Sequence, residues 1–233
     1  MTSLLPWATK IANLFYPNIC QACAKELVGN ENSICVACWK DLPETKFHLQ
    51  INNPMEQKFW GRIPIEYATS MYYFNKDARI QDILHALKYR KNTDIGLMLG
   101  RKFAEEIKMC TWIGDIDCLI PIPLSKKKTQ LRGYNQSEYI AKGMGEVLNL
   151  EVITTAVERI KHTETQTSKT RAERLDNMKA AFEVKEPSML NQKHVLLIDD
   201  VITTGATLES CAEAILKQGN TKLSIATLAY AID

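Results

Sequence analysis

Short continuous apolar runs in this chain alternate with longer stretches in which apolar residues recur every three or four positions. Ala68 to Phe74 is a run of the first kind and reads as a strand. Ile80, Ile83, Leu84 and Leu87 then show the i, i+3, i+4, i+7 spacing of an amphipathic helix. A second helix is predicted with Ile95, Leu99, Phe103 and Ile107 on one face. Asp117 to Pro123 is a short apolar strand ending in prolines that forbid further ladder pairing, so a loop is expected over Ser125, Lys126, Lys127, Lys128, Arg132 and Gly133. The next helix shares Ile140, Met144, Val147 and Leu148 on a face. Val195 to Ile198 is unbroken apolar sequence, as in a central parallel strand covered on both sides, and Leu208, Cys211, Ala212 and Ile215 mark the apolar face of a helix after it. Strand, helix, strand, helix predicts an α/β fold, a parallel sheet flanked by helices with right-handed crossovers.

Ligands of such sheets lie at the carboxyl ends of the strands, so the residues after Ile198 carry the candidate chemistry. Asp199 and Asp200 come first, then V-I-T-T-G-A-T-L. Thr203, Thr204 and Thr207 offer hydroxyl donors, and Gly205 lets the backbone approach an anion without a Cβ in the way. The next helix begins there, with its free N–H groups and positive dipole end. Two adjacent carboxylates beside a phosphate pocket repel a second phosphate, but they accept hydrogen bonds from vicinal ribose hydroxyls or share a divalent cation. The pattern therefore favours a sugar phosphate over a nucleoside triphosphate. The plainer alternative is that these residues punctuate a strand and cap a helix. Competing phosphate fingerprints fail, since neither G-x-G-x-x-G after a strand nor G-x-x-x-x-G-K-[ST] occurs. The basic residues after Pro123 read in isolation as a solvated charge run, yet a parallel sheet would open both strand ends on one rim and bring Lys128 and Arg132 to the same ligand. The basic end of the first helix, Lys88 to Lys91, either complements the helix dipole or contacts ligand.

The 233 residues, 45% hydrophobic and 24% charged, suffice for one well-buried α/β domain with a small accessory module and exclude a disordered chain. With 29 basic and 27 acidic residues the formal charge is +2, so no global field advertises nucleic acid or an anionic membrane. No apolar run approaches the roughly 20 residues of a spanning helix. Leu4 to Phe15 is broken by Pro6, Thr9, Lys10 and Asn13, and lacks a basic start and a small-residue cleavage site. A cytoplasmic protein without membrane insertion is expected, in which the seven cysteines are thiols or metal ligands.

Cys20 and Cys23, then Cys35 and Cys38, form two C-x2-C pairs separated by eleven residues. Each pair sets two thiolates on a tight turn, and two turns complete the tetrahedron that structural Zn2+ accepts from four sulfurs. Zinc can supply roughly 10 to 16 kcal/mol of apparent folding energy to a unit too polar to fold by itself. Cys110, Cys118 and Cys211 are isolated, and no redox role is expected for them. The domain reading is an N-terminal helix and zinc module over 1–48, a linker over 49–64 rich in Asn, Pro and Gly, and the α/β domain over 65–233.

The segment Val195 to Thr207 resembles the phosphoribosyl pyrophosphate (PRPP) loop of type I phosphoribosyltransferases: four apolar residues, two acids, two apolar residues, then T-T-G-x-T. With I-P-I-P-L-S-K-K-K-T-Q-L-R-G-Y-N-Q from Ile120, the polar stretch Thr154 to Phe182 and the four cysteines, nearly the whole chain resembles the ComF family of competence-associated, phosphoribosyltransferase-like proteins. The resemblance implies a type I core and PRPP with Mg2+ as ligand. It also implies a role in DNA uptake during natural transformation, with single-stranded DNA and a competence helicase as partners. Asp199 and Asp200 would hold the ribose hydroxyls and Thr203 to Thr207, including Gly205 and Ala206, the 5′-phosphate. Lys128, Arg132 and Lys161, with Ser125 nearby, would take the pyrophosphate. It further implies a cis peptide near Leu124 and Ser125. Thr154 to Phe182 falls where such enzymes carry a hood over PRPP, with Lys161, Arg171 and Arg174 as candidate cations; a DNA-contacting hairpin is an equal reading. The expected function is a PRPP-binding phosphoribosyltransferase-like protein of unknown acceptor. Its rival is a non-catalytic, single-stranded-DNA-handling adaptor with a regulatory or vestigial PRPP site.

Overall fold

The computed structural model describes residues 18–75, 79–89, 92–160 and 181–232. The helix expected before Cys20, together with Lys161, Arg171 and Arg174, lies outside them. Among the described residues seven strands are formed: β1 (Ala68–Phe74), β2 (Cys118–Pro121), β3 (Glu151–Val152), β4 (Val157–Arg159), β5 (Phe182–Val184), β6 (His194–Ile202) and β7 (Lys222–Ala231). Five make one sheet in the order β1-β7-β6-β2-β3, parallel at every junction, while β4 and β5 pair antiparallel beside it. The helices among these residues are α1 (Val36–Lys40), α2 (Pro54–Gln57), α3 (Arg79–Tyr89), α4 (Thr93–Ile107), α5 (Lys126–Arg132), α6 (Gln136–Leu148) and α7 (Ala206–Leu216).

The expected parallel α/β architecture is present, and its two cores explain the apolar run in β6. Leu196 and Ile198 face α3, α4 and α6 together with Ala226 and Leu228, whereas Val195 and Leu197 join Ile225 under α7. Val195 to Ile198 are each fully buried, so no polar position interrupts the run. Ile95, Leu99, Phe103 and Ile107 turn one buried face of α4 inward, and Ile140 and Met144 do the same for α6. These two helices touch backbone to backbone. A Cβ at Gly100 would collide with the Ile140 carbonyl, and one at Gly143 with the Leu97 carbonyl, so glycine sets the closeness of the crossing.

Two stretches differ in form from their sequence pattern. Lys126 to Arg132 is helix α5 rather than loop: Ser125 Oγ accepts from the Lys128 N–H at 3.4 Å, and Gly133 ends the helix at φ +83°. None of its residues is buried, so it lacks the apolar periodicity by which a helix is recognised. Residues 50–64 are packed on the domain. Asn53 caps α2 through the Met55 and Glu56 N–H groups and donates to the Ala68 carbonyl at 2.9 Å, while Met55 and Phe59 are fully buried. The Asn53-Pro54 pair is thus a helix start. Every peptide bond among the described residues is trans, including those at Leu124 and Ser125 where the resemblance implies a cis bond; without proline a cis bond costs about 3 to 4 kcal/mol.

The cysteine unit leans on the same core. Cys20, Ile34, Cys38 and Leu42 are buried in one cluster with Met71, Ile80 and Ile83.

Candidate phosphoribosyl site and cysteine centre

β6 runs past its buried run and ends at the carboxyl rim of the sheet with Asp199 and Asp200 still in strand conformation. The two carboxylates have different partners. Asp199 Oδ1 accepts from Ser137 Oγ at 2.9 Å and from the Asp200 N–H at 2.9 Å, whereas Asp200 Oδ2 pairs with Lys88 Nζ at 3.0 Å. Burial foremost, and then the charge of Asp200, push the Asp199 carboxyl up to about 7, although both hydrogen bonds and Lys88 pull it down.

Ser137 is aimed by the start of α6. Asn135 Oδ1 accepts the Ser137 N–H at 3.2 Å and Asn135 Nδ2 donates to the Ile122 carbonyl at 3.0 Å, which ties α6 to the end of β2. One turn earlier Arg132 Nη1 donates to Gln136 Oε1 at 2.8 Å, and its guanidinium lies 5.6 Å from the Tyr89 ring centre. Arg132 Nε and Gln136 Nε2 are buried without a protein partner, which leaves donor capacity at this rim.

A cavity of about 170 Å³ opens here, and Lys88, Lys128, Arg132 and Arg159 line it together with Asp199 and Asp200. Thr207 lines it too, and a hollow of about 40 Å³ adjoins it, formed by Thr203, Thr204, Gly205, Ala206 and Thr207 with Asp199 shared between the two. Gly205 sits at φ +81° in the left-handed region, and α7 starts from it. Arg62 braces this loop from outside by donating to the Thr204 carbonyl at 3.2 Å and pairing with Glu209. Four cations against two carboxylates suit a ligand with several phosphate charges. The larger cavity of about 550 Å³ at the β1 edge has the opposite character: Glu56, Glu66 and Glu106 line it and no lysine or arginine does.

Asp199, Asp200, Lys128, Arg132 and the Thr203 to Thr207 loop are therefore brought together, whereas Ser125 lines neither hollow and caps α5. Lys88, Arg159, Ser137 and Arg62 join the site beyond the residues that the sequence assigns to it. Lys88 has an open sequence signal, the basic end of an amphipathic helix, and its side chain lines the cavity. Arg159 closes β4 inside the polar stretch Thr154 to Phe182. Ser137 and Arg62 carry no pattern that distinguishes them from other polar residues.

At the other end of α3 the four sulfurs of Cys20, Cys23, Cys35 and Cys38 lie within 4.8 Å of one another. Cys20 and Cys38 Sγ are 3.7 Å apart, and Cys23 and Cys35 Sγ 3.9 Å. A tetrahedron with Zn–S of about 2.3 Å has edges of roughly 3.8 Å, so these four thiols fit a structural zinc ion closed to further ligands. Arg79 Nη1 lies 2.8 Å from Cys38 Sγ and its guanidinium pairs with Asp41 at 3.2 Å, which offsets part of the negative charge of four thiolates. No helix among the described residues is long and apolar enough to cross a membrane.

Comparison with known proteins is consistent with this geometry. A phosphoribosyl transferase domain matches residues 136–233, the part that contains α6, β6, the Thr loop and β7. Strand order and domain match together define a phosphoribosyltransferase-domain protein with an added four-cysteine unit. The DNA utilization protein YhgH of Shigella flexneri is 27% identical over 207 residues, spanning 86% of this chain and 85% of that one. Competence protein ComFC of Bacillus subtilis is 36% identical over 101 residues, 43% of this chain and 39% of that one. The chain is thus similar to DNA utilization and competence proteins of the ComF/YhgH type. A hypoxanthine phosphoribosyltransferase of Staphylococcus aureus overlaps 61% of this chain and 76% of its own with a TM-score of 0.36 and 12% identity, too slight an overlap to bear on the site.

Proposed function

We propose that the protein binds PRPP with Mg2+ and serves DNA uptake as a phosphoribosyltransferase-like protein. The observation that carries the reading is the convergence of adjacent carboxylates, a glycine-containing threonine loop at a helix start and four cations around one cavity. Thr203 to Thr207 hold the 5′-phosphate, where hydroxyls, free N–H groups and the α7 dipole all favour an anion. Asp199 and Asp200 accept from the ribose hydroxyls. They also supply the hard oxygen donors that Mg2+ requires, so the residues present fit that ion, which when bound neutralises pyrophosphate charge. Lys128, Arg132 and Arg159 face the pyrophosphate. In a transfer reaction the C1–O bond to pyrophosphate breaks, the electron pair leaves with pyrophosphate, and a nucleophilic acceptor bonds C1. The cations would stabilise that departing charge.

The test compares PRPP with ribose 5-phosphate, which lacks pyrophosphate. Arg132→Gln should weaken PRPP binding by about tenfold or more and leave ribose 5-phosphate unchanged. Equal losses for both ligands would contradict the assignment of Arg132 to pyrophosphate.

A second reading is a single-stranded-DNA-handling adaptor whose phosphoribosyl site is regulatory or vestigial; the names DNA utilization protein and competence protein support a role with DNA in either reading. Exposed Lys126 and Lys127 on α5 would contact DNA phosphates, with affinity falling steeply with salt. Lys127→Glu should weaken DNA binding, and Asp200→Asn should not. Loss of DNA binding in Asp200→Asn would merge the two sites and refute a separate DNA surface.

A further inference from the structure

Lys88 stands where a cation is needed before any ligand arrives. Its ammonium lies 3.0 Å from Asp200 Oδ2, with side chains 24% and 14% exposed, so the pair is largely shielded from solvent. Asp199 has only hydrogen-bond donors on its Oδ1, the Ser137 hydroxyl and the Asp200 N–H, so one ammonium serves two adjacent carboxylates. The end of α3 that carries Lys88 is held at two points. Tyr134 donates its hydroxyl to the Leu87 carbonyl, and Arg132 lies over the Tyr89 ring. The lysine is thus positioned by the same Arg132 to Asn135 connection that aims Ser137 at Asp199.

A bare divalent cation entering this site would have to displace Lys88 from Asp200 while Lys128, Arg132 and Arg159 oppose its charge across the same cavity. A phosphorylated sugar changes the balance, because its pyrophosphate brings negative charge and gives the displaced ammonium another anion to face. We infer that Lys88 is a positioning residue that occupies Asp200 in the ligand-free site, so that the divalent cation enters only together with the sugar pyrophosphate, toward which the Lys88 ammonium then turns. The inference rests on the phosphoribosyl reading for its second half alone. The exclusion of bare metal follows from the ion pair and the cavity charges whatever the sugar ligand is.

The experiment uses zinc-loaded full-length protein and two probes, Mn2+ alone followed by electron paramagnetic resonance, and PRPP with Mg2+ followed by calorimetry. In Lys88→Met, a change that keeps most of the unbranched side chain and removes its charge, Mn2+ should bind about tenfold or more tighter than in the wild type, while PRPP with Mg2+ binds about tenfold or more weaker. Lys88→Arg should keep the wild-type pattern for both probes. A residue that merely supported the fold would lower both affinities or neither. Unchanged or weaker Mn2+ binding in Lys88→Met overturns the inference, and so does unchanged PRPP affinity in a protein that binds Mn2+ more tightly. If the wild type failed to bind PRPP at all, the phosphoribosyl reading would fall, and the Mn2+ comparison would still decide whether Lys88 guards Asp200.

Discussion

Replacing Asp199 by asparagine should stabilise the ligand-free protein, and the gain should depend on pH. Burial, and after it the neighbouring charge of Asp200, push the Asp199 carboxyl from its ordinary 3.8 up to about 7. Between those values the folded chain holds a proton that the unfolded chain has lost. The stability linked to that proton is complete below about pH 4 and is lost as pH rises through about 7. Three pH units at about 1.4 kcal/mol each set a ceiling near 4 kcal/mol. Asp199 is half-buried and lines the cavity, so screening reduces the expectation to about 2 kcal/mol. For a chain of this length that corresponds to a Tm higher by about 4 to 8 °C above neutral pH. Scanning calorimetry of the wild type and Asp199→Asn from pH 5 to 8.5, in buffer free of phosphate and divalent metal, reads the difference directly. The gap should widen with pH and level off above about 7. A gap independent of pH, or a wild type that is the more stable at pH 8, would refute the reasoning.

At the glycine crossing, Gly143→Ala should destabilise the fold by about 1 to 3 kcal/mol, since its Cβ meets the Leu97 carbonyl of a packed helix; a thermal midpoint equal to the wild type would show that the two helices can separate freely. Purified, reduced protein should hold about one zinc per chain with four sulfur neighbours near 2.3 Å by X-ray absorption, and Cys38→Ser should lose both metal and stability. A metal-free wild type would remove the zinc centre from the account. Because Mg2+ favours ionised carboxylates, wild-type affinity for PRPP should rise between pH 6 and 8 as Asp199 ionises. A flat titration curve over that range would exclude Asp199 from the ligand contacts.

The parallel sheet is legible in the sequence because burial on two sides leaves a mark: β6 has to be apolar at every position from Val195 to Ile198, and β1 falls on the residues its pattern indicates. The Thr203 to Thr207 loop is legible for a different reason, since phosphate contact restricts residue types at fixed spacing. Helix α5 leaves no such mark because it buries nothing and its lysines carry no period. The packing of residues 50–64 is hidden because Asn53 and Pro54 serve equally as loop formers and as a helix start, and only the burial of Met55 and Phe59 tells which. Ser137 and Lys88 reach the carboxylates from helices 62 and 112 residues away in sequence, so no local pattern ties them to Asp199 and Asp200. They become visible only when the strand order brings α3 and α6 to one rim.

Calorimetric titration of zinc-loaded wild type and Asp200→Asn with PRPP and Mg2+ decides whether the rim of β6 is a phosphoribosyl site. The account predicts saturable binding by the wild type and a loss of about tenfold or more in the variant, the weight of a charge-assisted hydrogen bond. No binding by the wild type, or equal binding by both proteins, would contradict it.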